Sequence, residues 1–126
     1  MFLSMEFSPH RLLGPYLLTK ENISLVSRSK KPGVFAFGNL DEQKTFIPYV
    51  LGMSNVSVGR RLHEGIDKFT HFKIYYTHTA HEAFSEWCVL YHSFCGDGGV
   101  ICSLLDRTHP QHPTEESWKC PVCHAR

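Results

Sequence analysis

The sequence predicts a small α+β domain in which a β-hairpin, a helix, a third strand and a second helix form a layer of sheet and a layer of helix. Two observations lead to this fold class. Short runs of β-branched and aromatic residues are typical of strands, and they alternate with two amphipathic stretches that have helical spacing. The chain has 126 residues, of which 42% are hydrophobic, which suits one compact domain with a core and leaves little room for a second.

The hairpin is predicted after a mixed, polar lead-in segment of residues 1–31, which ends in a basic run before the turn signal Pro32-Gly33. Residues 34–37 form its first strand and residues 44–51 its second, with a turn-like segment between them. Pro48 within the second strand indicates an edge or bulge position, because proline cannot donate to a ladder.

Two helices and a third strand complete the predicted domain, which covers residues 32–106. Residues 56–69 carry an apolar stripe at spacings of four, four and three. Residues 71–76 are rich in strand formers. A helix follows over residues 80–94, where Thr79 and Glu82 have the spacing of a capping box. Residues 107–126 form a tail rich in proline, histidine and cysteine.

Charge and cysteine content restrict the class of protein. The formal net charge is +1, which excludes a histone-like DNA coater but allows a local basic patch. No apolar run is long enough to cross a membrane, and the N-terminus lacks the pattern of a secretory signal, so we expect a cytoplasmic protein that does not bind membranes. An odd number of cysteines, five, then favours reduced thiols or a metal site over a disulfide framework.

Short motifs follow one another in a distinctive order along the predicted domain. Gly33-Val34-Phe35 lies on the first strand and residues 49–52, Tyr-Val-Leu-Gly, end the second. Arg60-Arg61 lies on the first helix and Glu86 on the second. This order resembles the GIY-YIG nuclease superfamily over residues 32–94, and the chain looks like a divergent member.

The resemblance implies a three-stranded antiparallel sheet flanked by helices, and metal-dependent hydrolysis of DNA phosphodiester bonds. Carried onto this chain, Tyr49 would orient or deprotonate water, Arg61 would steady the phosphate, and Glu86 would hold a divalent ion, Mg²⁺ or Mn²⁺. An arginine fork matches phosphate geometry, and one carboxylate with waters suits Mg²⁺.

The chain departs from the family at several positions. Phe35 stands where the family has tyrosine, Gly65 where it has histidine or tyrosine, and Asp106 near where it has asparagine. If Gly52 matches the family glycine, Tyr49 points to the opposite sheet face unless a bulge near Pro48 restores it. The alternative function is therefore a scaffold with a decayed site that binds nucleic acid or protein without catalysis.

The tail suggests a structural zinc site. Cys120 and Cys123 form a CxxC half-site, because ligands at this spacing fit a tight turn around a tetrahedral ion. The other half is either His109 and His112 or Cys95 and Cys102. A zinc-ribbon-like adaptor, in which the domain only supports the tail, is a third hypothesis.

A basic patch is the last candidate feature. Its basic residues lie on both sides of the first strand in the sequence. They would bind nucleic-acid phosphates if the fold brings them to one face. They are Arg28, Lys30, Lys31, Arg60 and Arg61.

Overall fold

The structure, a computed structural model, describes residues 12–26, 30–95, 103–111 and 118–124. It is an α+β fold built on a four-stranded antiparallel sheet with the strand order β1-β4-β2-β3. The strands are β1 (Leu13–Leu17), β2 (Gly33–Leu40), β3 (Phe46–Ser54) and β4 (His71–Tyr76). The helices are α1 (Lys20–Val26), α2 (Val58–Leu62), α3 (Ala80–Cys95) and α4 (Pro121–His124).

The sheet has one strand more than the predicted three, because the segment expected to be a lead-in supplies β1. Gly14-Pro15 reads as a turn in the sequence, yet Leu13 pairs with Ile74 and Tyr16 pairs with Phe72 of β4. The register shifts between Leu13 and Tyr16, which accommodates the proline. The same segment also forms the unpredicted helix α1.

The hairpin is confirmed, with its turn displaced toward the C-terminus. β2 continues through Leu40, which pairs with Phe46. The chain then reverses around Asp41, whose Oδ1 accepts the N–H groups of Gln43 and Thr45, both at 2.9 Å. Such a carboxylate mimics a backbone turn and ends the strand.

Helix α2 is much shorter than the predicted 56–69 segment. A single 3₁₀ turn, His63–Gly65, follows it. Ile66 is then extended and Asp67 has a φ of 76°, so the helix cannot continue. The predicted stripe is only partly realised as a helix.

Helix α3 and strand β4 agree with the sequence prediction. The N-cap half of the predicted capping box is present, since Thr79 Oγ1 accepts the Glu82 N–H at 3.1 Å, while the Glu82 carboxylate contacts the Thr79 hydroxyl at 3.4 Å. No helix among the described residues is long and apolar enough to span a bilayer.

The core lies on both faces of the sheet, because successive strand side chains point to opposite sides. On what we call the α2 face, strand residues pack against helix α2; they are Phe35, Phe37, Phe72 and Ile74. On the α3 face, helix α3 and the C-terminal segment cover Val34 and Met53. Any site on one face is therefore separated from the other by the sheet.

Candidate metal centre and cationic groove

Two imidazoles and two thiols come together on the α3 side of the sheet. They belong to His92, His109, Cys120 and Cys123, and one ligand atom from each lies within 4.8 Å of all the others. The Nε2 atoms of the two histidines are 3.2 Å apart. The sulfur of Cys123 is 3.5 Å from His92 Nε2 and 3.7 Å from His109 Nε2.

Three separate parts of the chain supply these ligands. His92 lies in the last turn of α3, His109 in the segment 103–111, and Cys120 and Cys123 flank the start of α4. The Cys123 N–H donates to the Cys120 sulfur at 3.4 Å, as expected when both sulfurs face one ion. An ion bound here would join two C-terminal segments to a helix of the core.

Surrounding contacts hold these ligands in place. The ring of His109 has its Nδ1 2.8 Å from Pro110 O, which leaves Nε2 for a metal. The Tyr91 hydroxyl donates to Arg107 O at 2.7 Å, in the segment that carries His109. Trp118, just before Cys120, stacks on His81 at 5.1 Å between ring centroids.

The electrostatics distinguish the Cys120 thiol from that of the neighbouring Cys88. Burial raises the pKa of Cys120, but hydrogen bonds to its sulfur, from the Cys123 N–H first and then from His109 and the Val122 N–H, outweigh burial and set the pKa at about 6. Burial and then the charge of Cys120 raise the pKa of Cys88 far above its usual range. Cys120 is thus a thiolate near neutral pH and Cys88 a thiol of the core.

This donor set fits a tetrahedral, soft or borderline ion. Two sulfurs and two imidazole nitrogens fill four positions, so no position remains for a substrate, which is the arrangement of a structural site.

The sequence prediction identified three of these four ligands. His109, Cys120 and Cys123 come together as expected, while His112 lies outside the described residues. His92 completes the set, and no local spacing in the sequence links it to the CxxC. Cys95 belongs to the alternative half-site, but it is disulfide-bonded and so cannot be a metal ligand. This bond is contrary to the expectation of reduced thiols.

The segment 103–111 also runs along the edge of the sheet. The Leu105 N–H donates to Tyr49 O at 2.8 Å, and the Ser103 hydroxyl donates to Pro48 O. The exposed Asp106 carboxylate accepts the Thr108 N–H at 2.9 Å, and this bond lowers its pKa. Asp106 therefore shapes the segment locally.

A groove of about 160 Å³ opens on the α2 face beside Arg61. Arg61 donates from Nη1 to Met53 O at 2.9 Å and from Nε to Glu64 at 3.3 Å. Its Cζ lies 5.2 Å from the centre of the Phe35 ring. These contacts fix the guanidinium plane, and no other hydrogen-bond partner for it is present among the described residues.

Tyr49 reaches the same face through a bulge. Phe37 pairs with Val50 and Gly38 with Pro48, so Tyr49 is the extra residue of β3. Its ring stacks on Phe69, at 6.2 Å between centroids. The bulge near Pro48 that would restore Tyr49 is thus present.

Glu86 lies elsewhere. Helix α3 covers the opposite face of the sheet, and Glu86 lines a polar cavity there with Tyr75, His81 and Glu82. The residues lining this cavity are all different from those of the groove at Arg61. The structure therefore brings Tyr49 and Arg61 to one face and leaves Glu86 on the other.

The departures from the family pattern have structural reasons. Phe35 is 1% exposed and lies against Gly52, where a Cβ would come 2.6 Å from its ring. A Cβ at Gly65 would come equally close to the Phe37 ring, at 2.6 Å. A larger side chain at position 65 does not fit.

The basic segment that precedes β2 contacts the start of α2. Lys31 O accepts the Val58 N–H at 3.1 Å, which joins the basic segment to the first residue of this helix. The Lys30, Lys31 and Arg60 side chains are exposed. Arg28 lies outside the described residues.

Comparison of the chain with protein-family models, curated proteins and solved structures finds no match.

Proposed function

We propose that this chain is a nucleic-acid-binding module with a GIY-YIG-like scaffold, which binds DNA on its α2 side and is stabilised by a structural zinc ion. The observation that carries the proposal is the junction between Lys31 and Val58, at 3.1 Å. Because this bond joins the basic segment to the helix that carries Arg60 and Arg61, we infer that the exposed cations Lys30 and Lys31 belong to the same local patch on a nearly neutral protein.

The arrangement of Arg61 supports phosphate binding. Its guanidinium is fixed by Met53 O and Glu64, and its side chain is 44% exposed. A fixed, accessible guanidinium binds a phosphate oxygen with little loss of side-chain freedom. Lys68, also exposed, lines the same groove and adds a second positive charge.

We further propose that binding occurs without cleavage. A divalent ion at Glu86 would lie on the α3 face, whereas a phosphate at Arg61 would lie on the α2 face, so one ion cannot contact both. Phe35 also lacks the hydroxyl of the family tyrosine. The residues present therefore do not fit a catalytic Mg²⁺ or Mn²⁺ site that includes Arg61.

Zinc is the ion we propose for the Cys/His centre. Two thiolates and two imidazoles in a closed set match structural zinc, while Mg²⁺ requires oxygen ligands. The metal would hold the C-terminal segments to α3 and play no direct part in binding DNA.

Fluorescence anisotropy with a labelled DNA duplex tests the binding proposal. We expect the Arg60→Ala/Arg61→Ala double variant to bind at least about tenfold more weakly. The slope of its salt dependence should fall by about one for each phosphate that the variant no longer neutralises. Lys119→Ala, which removes an exposed cation beside the metal centre, is the matched control. Equal affinities of the double variant and the parent would overturn the proposal.

Incubation with plasmid and branched DNA in Mg²⁺ or Mn²⁺ tests the absence of cleavage. We expect no nicking. Nicking by the parent that disappears in an Arg61→Ala/Glu86→Ala variant would instead support a GIY-YIG endonuclease.

A further inference from the structure

The groove at Arg61 combines aromatic walls with a cationic rim. Three rings line it, those of Phe35, Phe37 and Phe69, and Arg61 and Lys68 bring the positive charges. This combination suits a ligand that joins a planar aromatic ring to an anion.

Phe69 is the ring of the groove that a ligand can contact, because Phe35 and Phe37 are only 1% and 5% exposed and form its floor. Phe69 is parallel to Phe37 within 11° and to Tyr49 within 16°, with centroids 5.8 and 6.2 Å apart. Phe69 is half-buried and lines the groove. Gly65, which also lines the groove, adds no side chain that would fill it.

The rim has a net positive charge. Glu64 is the acidic residue among those that line the groove, and it pairs with Arg61 Nε at 3.3 Å. Because the two cations Arg61 and Lys68 face one carboxylate, the lining of the groove has a net charge of +1. An anionic group at the rim would balance this excess.

We propose that the groove takes one unpaired nucleotide of a single-stranded nucleic acid, with its base against Phe69 and its phosphate at Arg61 and Lys68. This inference rests on the proposed function and specifies its ligand. In a duplex the bases are stacked and paired, so a base can enter the groove only after it is flipped out, at a cost in free energy. A single strand offers its bases without that cost.

The experiment compares three labelled ligands of about ten nucleotides, a length within the usual site size for single strands. They are a single strand, the same strand with abasic sites, and the same sequence as a duplex. We expect the single strand to bind about tenfold more tightly than either of the others at the same salt concentration. Because this comparison uses the unaltered protein, it does not depend on a variant that folds.

A pair of variants assigns the effect to the groove. Phe69→Leu should weaken binding of the single strand about fivefold or more and leave duplex affinity unchanged. Phe46→Leu is the matched control, because its ring contacts Lys73 outside the groove, at 5.2 Å. Thermal melting checks that both variants fold.

The outcomes separate this inference from the proposed function. If single strand, abasic strand and duplex bind equally, the inference is overturned and the nucleic-acid-binding module stands. If none of the three binds at low salt, both are overturned.

Discussion

Replacing His92 by alanine tests the metal centre most directly, because His92 is the ligand that the sequence did not indicate. The variant leaves three of the four ligands. We expect it to lose the zinc ion and, with it, the order of the C-terminal segment.

The structure sets the size of this effect. Ordering residues 118–124, which carry both sulfur ligands, costs roughly 7–14 kcal/mol of conformational entropy at about 1–2 kcal/mol per residue. Their largest apolar side chain is Trp118, which is half-buried and contributes less than about 6 kcal/mol. Cys120 and Val122 add further contacts with the core, so protein contacts offset part of this cost and we expect the metal to contribute the rest.

Metal analysis and thermal melting measure the outcome. With free zinc at about one hundred times its Kd, the bound ion adds about 2.7 kcal/mol to the unfolding free energy, a change in Tm on the order of 10 °C for a chain of this length. Wild type should lose this increment when a chelator is added, whereas His92→Ala should not respond. His112→Ala is the control and should behave as wild type, because the other ligands already form a complete tetrahedron. Stoichiometric zinc in His92→Ala, or its loss from His112→Ala, would refute the assignment.

Three further substitutions test the fold around these sites by urea unfolding. Thr79→Ala removes the oxygen that accepts the Glu82 N–H at 3.1 Å, and should lower the unfolding free energy by about 1 kcal/mol; an unchanged midpoint would argue against the cap. Gly65→Ala places a Cβ 2.6 Å from the Phe37 ring and should cost about 1–3 kcal/mol, and a neutral result would mean that this ring is free to move. Tyr76→Phe removes a hydroxyl that donates to Val26 O at 2.6 Å. The substitution should lower the unfolding free energy by about 1 kcal/mol and speed amide exchange in α1. Exchange in α1 as slow as in wild type would contradict the role of this hydrogen bond.

The sequence predicted those elements whose pattern is local. Strand β4 and helix α3 have strong periodicity and clear ends, and Pro48 correctly indicated an edge strand with a bulge. Strand β1 escaped prediction because its partner β4 lies more than fifty residues away and Gly14-Pro15 resembles a turn. Helix α2 was predicted too long, because the backbone becomes extended at Ile66 and Asp67 has a φ of 76°, a break that the apolar stripe does not reveal.

In the candidate sites too, local features were predicted from the sequence and features that depend on the tertiary fold were not. The CxxC spacing is visible in the sequence, since both cysteines lie on one short turn. His92 joins them only through the packing of the C-terminal segment against α3, which no local spacing encodes. Arg61 and Glu86 were paired through a family resemblance, and the sheet that separates them is a property of the tertiary fold.

The contacts of Ser103 and Leu105 with β3 have a consequence for self-association. The outer strand of a sheet offers unpaired backbone groups on which another chain can add a strand, the first step of many aggregates. On β3 the carbonyls of Pro48 and Tyr49 are occupied by the segment 103–111, and on β1 Pro15 has no N–H to offer. Neither outer strand of the described sheet therefore offers a continuous row of unpaired backbone groups to another chain. This protects against aggregation in a protein whose formal net charge of +1 gives little mutual repulsion between copies.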